Sequence, residues 1–355
     1  MIGKSASTDK NTVISETPFG TTRGGTAATL ISLKNKFGLT AQFSDYGATW
    51  VSMIVPDASG NRSDVLLGFD DVKGYEAHPF FSSVIGRYAN RISGAKFSLE
   101  GAQYQLDQNE PPNQLHGGFE NLSTRFWQWQ LDEAHNLIRF KCESADGESG
   151  YPGKLKLEVS YQLTQLNELI VHYTATSDKL THINLTNHAY FNLGDSTTIS
   201  THELEIAADL YTPVNQMLIP TGQIKPIPVS LDFRKPVTIG AKIQARKAMG
   251  ETGLDHNLVF SDWNGKLMPR GRLTDPGSGR TILLKTTEPG VQIYTANHFR
   301  NISGKHNRVY PQHAGVCLET QHYPDSPNQP DFPSTRLMAG ELFNSTTVFQ
   351  FGNGK

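Results

Sequence analysis

Several polar side chains in this chain sit where chemistry could use them. In "THINLTNHAYFNL", Ile183, Leu185, Ala189, Phe191 and Leu193 alternate with His182, Asn184, Thr186, His188, Tyr190 and Asn192. An extended strand would send these two sets to opposite faces. One face is apolar apart from Asn187. The other gathers imidazole, hydroxyl, phenol and amide groups, with no lysine or glutamate near His188. A solvated outer face is the common meaning of such a row. This composition suits a sugar better.

In "AGVCLETQHYPD", Cys317, Glu319 and Gln321 share one strand face just before a proline-rich loop. A carboxylate partly buried there has its pKa raised towards that of a useful base. In "PGVQIYTANHF", Gln292 and Tyr294 share a face. "NQLHGG" sets His116 before two glycines, where the backbone can turn sharply. "GRYANR" supplies Arg87, Asn90 and Arg91, and a guanidinium fork can grip two vicinal oxygens. "GLDHN" supplies Asp255, with His256 beside it as a competitor. Phe80, Phe81 or Tyr190 could cover the C–H face of a sugar, although Phe80 and Phe81 would serve equally well in a core.

The elements that must position these groups read as strands. Leu155, Leu157, Val159 and Tyr161 alternate, "TQLNE" marks a turn, and Leu169, Val171 and Tyr173 resume the pattern. "RISGAKFSLEGAQYQL" reads as a hairpin. Helical periodicity is weak, strongest over Ile239 to Met249 and over Asp70 to Ala77. With 32 glycines and 19 prolines to supply turns, the expected fold is mainly β. It is a large antiparallel β-sandwich with few short helices. A loosely ordered segment is expected over residues 1–25 and a single sandwich domain over residues 26–355.

Composition narrows the function. Of the 355 residues, 19% are charged, and the net charge is -2. No basic stripe suggests nucleic acid, and no apolar run approaches the roughly 20 residues of a membrane helix. Cys142 and Cys317 form no disulfide framework and no zinc-type pair. The first residues lack the apolar core of a secretory leader, so a soluble, cytoplasmic protein is expected. A removed leader would leave no trace in this sequence.

"GRYANRISGAKFSLEG", "NQLHGG", "NHAYFNL", "YTPVN" with "IPTG", "GLDHN", "PGVQIYT" and "CLETQHYPDSPNQPDFP" follow in order from about Ser32 to the C-terminus. Their order makes the set far more specific than any one stretch. Together they resemble the aldose 1-epimerase (galactose mutarotase) family. The resemblance implies a β-sandwich that interconverts the α and β anomers of free aldohexoses such as galactose and glucose. It implies no cofactor and no metal. Carried over motif by motif, it implies His188 as general acid and Glu319 as general base. Asn90, Arg91, His116, Asp255 and Gln292 would bind sugar hydroxyls, with Tyr190 against the ring.

The chemistry suits these types. A glutamate near its ordinary pKa accepts from the C1 hydroxyl, and a protonated histidine gives to the ring oxygen. Two departures leave the sugar preference open: Tyr88 in place of a small aliphatic residue, and the pair His322–Tyr323. The partner expected is a small aldohexose, bound by a monomer or a homodimer. Other readings stay open on the residues alone. These are a noncatalytic sugar-binding sandwich, a glycosidase using Asp255 with Glu319, a metal site of His116, His188 and Glu319, and a hexose-phosphate epimerase using Arg87 and Arg91.

Overall fold

A computed structural model describes residues 15–353. The alternation of apolar residues forms strands where the sequence places them. Leu155–Leu163 pairs antiparallel with Glu168–Ser177, and Lys96–Leu99 pairs with Ala102–Gln105. The two α-helices among the described residues, Val72–Ala77 and Ile239–Lys247, lie within the expected spans. Asp71 caps the first by accepting from the Gly74 N–H. No helix among the described residues is long and apolar enough to cross a membrane.

Three larger sheets make the body. A nine-stranded sheet runs from Gln128–Asp132 at one edge, through Leu155–Leu163, Glu168–Ser177 and Leu342–Gly352, to Val237–Thr238 at the other. A five-stranded sheet holds Ser15–Thr21, Ala27–Lys34, Thr40–Ser44, Thr49–Pro56 and Arg62–Asp64. A second five-stranded sheet ends on Asp255–Val259, Gly290–Tyr294 and Cys317–Gln321. One buried apolar cluster draws on all three, from Ile31 to Phe351. Within it Phe43 stacks on Tyr161 with ring centres 4.5 Å apart.

Two expectations change. Part of the segment expected to be loose is a strand: Ser15–Thr21 pairs with Ala27–Lys34, from Ser15 opposite Ser32 to Thr21 opposite Ala27. The rest of that expectation, residues 1–14, lies outside the described residues. The stretch around His188 is also not one continuous strand with an open polar face. It pairs in two short ladders, Thr181–His182 with Arg336–Leu337 and Thr186–Asn187 with Val84–Ile85. Single bridges then tie Phe191 to Leu66 and to Val316. Residues 181–193 are buried on both faces. Polar side chains there are turned inward, because the chain threads between the sheets rather than along their outside.

Candidate active site

The second five-stranded sheet is two-faced. His256, Leu258, Val291, Ile293 and Leu318 point away from the cavity, the apolar ones into the common core. On the other face Asp255 pairs with Tyr294, Gln292 with Glu319, and Tyr294 with Cys317. Directly opposed residues of an antiparallel pair share a face. Period-two alternation therefore delivers three carbonyl-bearing side chains, a phenol and a thiol to one surface.

That surface floors a cavity of about 210 Å³. Of the residues singled out from sequence, Asn90, Arg91, His116, His188, Tyr190, Asp255 and Glu319 line it. Gln292 stands behind this lining and donates its amide to Asp255 Oδ1 at 2.5 Å. His188 is held by backbone pairing with Ser82 and Ser83. Its Nε2 lies 3.7 Å from Glu319 Oε1. The two groups, from segments far apart in sequence, thus meet in one pocket.

His116 enters from the loop after Gln114–Leu115. Its turn needs glycine: Gly117 has φ +91°, and a Cβ there would collide with the Gly86 carbonyl. The Asn90 backbone N–H donates to His116 Nδ1 at 3.1 Å. The ring proton therefore sits on Nε2. Phe80 packs on this imidazole, with ring centres 4.7 Å apart, while Phe81 is a core residue. Arg91 is clamped by Glu110 through bonds of 2.6 and 2.8 Å, and reaches towards Asp255 at 4.0 Å.

Burial sets the protonation states. It pushes His188 down to about 4, so the ring is neutral at pH 7. Burial, then the charge of Asp255, holds the Glu319 carboxyl well above the usual range, against the pull of Arg91. Burial likewise raises Asp255, opposed by Arg91 and the Gln292 amide. His116 is held well below its ordinary value by burial, then by His188 and Arg91. The expectation of an ordinary glutamate beside a protonated histidine is corrected. Desolvation disfavours both charges and drives the two pKa values past each other.

Other residues singled out from sequence work elsewhere. Arg87 is a buried strut whose guanidinium donates to Ser144 Oγ and to the carbonyls of Ser144, Ala145, Pro152 and Gly153. His256 is buried against Arg246. Thr186 is buried and does not line the cavity. The two departures touch each other: the Tyr88 hydroxyl donates to the Tyr323 carbonyl at 3.1 Å, and His322 pairs with Glu288. None of these four residues lines the cavity.

Four lining residues were not assigned from sequence: Glu110, Leu115, Tyr294 and His298. Tyr294 had a signal, since it shares a face with Gln292. Glu110 and His298 lie in irregular segments with no period to mark them.

A family model described as aldose 1-epimerase matches residues 29–350. The chain belongs to the aldose 1-epimerase family. It is 42% identical over 345 residues to galactose mutarotase of Rattus norvegicus, covering 96% of this chain and 97% of that protein. It is 34% identical over 330 residues to aldose 1-epimerase of Haemophilus influenzae, covering 91% and 95%. Among solved structures, an aldose epimerase homologue from C. elegans superposes with a TM-score of 0.85 at 29% identity, covering 93% of this chain and all of that one. Galactose 1-epimerase from Lactobacillus acidophilus gives 0.84 at 26% identity, covering 97% and 100%. The fold of this family member is thus the galactose mutarotase-like β-sandwich.

Proposed function

We propose that this chain interconverts the α and β anomers of free aldohexoses, galactose and glucose among them, by acid–base ring opening and reclosure. The observation that carries the reading is the His188–Glu319 pair, 3.7 Å apart, in a buried cavity of about 210 Å³. Mutarotation needs one proton taken from the C1 hydroxyl and one given to the ring oxygen as the C1–O5 bond breaks. The product is the open-chain aldehyde. Rotation about C1–C2 presents its other face, and reclosure returns both protons.

The pair needs one proton between its two members. Neutral imidazole with carboxylic acid holds the same count as imidazolium with carboxylate. Burial favours the neutral arrangement in the empty site. A bound sugar inserts its own hydroxyls and stabilises the charged one, with Glu319 as base at the C1 hydroxyl and His188 as acid at the ring oxygen. The return half uses the reverse roles. Each positioned group is worth about 10²–10⁴-fold in rate.

The remaining groups hold the hexose. Glu319 Oε2 is buried and has no protein partner, leaving an acceptor for a sugar hydroxyl, while Gln292 holds Asp255 in place from behind. Asp255 is committed to Gln292 and Arg91, which suits it to binding rather than proton transfer. His116 Nε2–H, Asn90 and Arg91 supply donors, and Tyr190 an aromatic wall. The site is complete within one chain. The free thiols of Cys142 and Cys317 suit a reducing cytoplasm. We read the described residues as one catalytic unit whose partner is a small sugar, not nucleic acid or membrane.

A second reading has one observation in its favour. One ligand atom each from His116, His188 and Glu319 fall within 4.8 Å of one another, a spacing that could hold a metal. Against it, His116 Nδ1 already accepts the Asn90 N–H, so Nε2 carries a proton rather than a free lone pair. Polarimetry on freshly dissolved α-D-galactose and α-D-glucose, with and without chelator, tests both. Acceleration that survives chelation supports the acid–base reading. No acceleration over buffer overturns it, and loss with chelator favours the metal.

A further inference from the structure

His188 is addressed at both ring nitrogens from a single strand. Cys317 and Glu319 are two positions apart and share a face. Glu319 Oε1 approaches Nε2 at 3.7 Å, and Cys317 Sγ lies 3.4 Å from Nδ1. The thiol is fully buried, and the Tyr190 ring, its centre 5.0 Å from that of His188, packs in the same apolar cluster as Cys317.

Resting on the acid–base reading above, we propose that Cys317 is a positioning residue for His188. Its thiol serves Nδ1 as donor when the imidazole is neutral and as acceptor when the imidazole carries the second proton. S–H is a weak donor and sulfur a weak acceptor, so the thiol can rotate between the two tasks at little cost. In the neutral ring S–H donates to Nδ1, and Nε2–H is presented to the cavity. When the ring is charged, Nδ1–H donates to Sγ, and the S–H turns away from the ring.

A reaction that opens and recloses a ring needs this symmetry. A carboxylate at the same place would pin the proton on Nδ1 and stabilise the cation. His188 would then be a poorer acid. A methyl group would leave Nδ1 buried with no partner. Burial also keeps the thiol protonated, far from the thiolate range. Cys317 is therefore neither a nucleophile nor a redox centre here.

A buried cysteine can also be a mere small apolar filler. The two roles separate in pH dependence. The groups facing His188 are Glu319, His116, Tyr190, Tyr294 and Cys317, with Asp255 and Arg91 facing Glu319. Only Cys317 changes in the test.

The experiment measures kcat, KM and the pH profile of mutarotation by polarimetry for wild type, Cys317→Ser and Cys317→Ala, with folding checked by thermal melts. Cys317→Ala should lose about tenfold in kcat, the worth of one hydrogen bond, with KM within about threefold. Its acidic limb should move to lower pH, because the cation loses its acceptor. Cys317→Ser should keep kcat within about threefold and move the limb upward, because oxygen accepts better than sulfur. Wild-type kcat and pH profile in a folded Cys317→Ala would overturn the proposal. If that variant does not fold, an unmoved limb in Cys317→Ser would do so. His188→Asn and Glu319→Gln run alongside. If they keep wild-type turnover, the acid–base reading itself falls. If they lose it while the Cys317 variants behave as wild type, only the present inference falls.

Discussion

Gln292 stands directly opposite Glu319 across two paired strands and donates its amide to Asp255 at 2.5 Å. One side chain thus links the proposed base to the proposed sugar-binding carboxylate. Asp255→Asn removes a charged acceptor for sugar hydroxyls. KM should rise about 10–100-fold, the worth of a hydrogen bond to a charged group, with a smaller loss in kcat. The charge of Asp255 also raises the Glu319 pKa, so its removal should move the alkaline limb of the rate profile to lower pH. Initial rates by polarimetry across pH check both; an unchanged KM would remove Asp255 from the binding set.

Glu319→Gln and His188→Asn should each lose about 10²–10⁴-fold in kcat. Glu319→Gln should also stabilise the protein at pH 7. The folded-state pKa of Glu319 lies above its unfolded value, so ionisation at neutral pH works against folding. Relieving that cost should raise Tm by about 2 °C in a thermal melt. A lower Tm would mean that the carboxylate is stabilised in a way its surroundings do not reveal.

The acidic limb of kcat/KM should lie near pH 4 rather than near 6.5. In the free enzyme His188 takes up its second proton only around there, because burial resists the charge. A profile over the range in which the protein stays folded decides this. A midpoint at the ordinary histidine value would show that the site is far wetter than its burial indicates.

Stability should fall as pH drops from about 6.5 to 4. Burial depresses His182, His188 and His202 to about 4, and His256 to about 3. Each is neutral in the fold and protonates first in the unfolded chain. Stability is therefore complete above the unfolded pKa and is lost as pH approaches the folded one. A fully expressed shift from 6.5 to 4 is worth about 3 kcal/mol. Urea midpoints at pH 7 and pH 5 test the sign; equal midpoints would refute it.

Much of this was legible in the residues. Alternation located the strands on either side of Thr164–Asn167 and the turn at Glu100–Gly101, because a half-buried strand must alternate. It also placed Cys317, Glu319 and Gln321 on one face. Alternation misled at residues 181–193, where both faces are buried and neither meets open solvent. Glu110 was invisible for another reason. It matters only because the loop carrying it returns to Arg91, a contact that no local pattern encodes. The protonation states were also misjudged, since desolvation depends on what packs around a group and not on its neighbours in sequence.

The strand Cys317–Gln321 carries Glu319 towards the cavity and Leu318 into the core. A slip of one residue in its pairing with Gly290–Tyr294 would exchange those faces. An aliphatic group would then stand where the base belongs, and a carboxylate would be driven into the apolar interior. Chains that pair wrongly would thus be both inactive and unstable, so the burial pattern acts as a proofreader of catalytic competence.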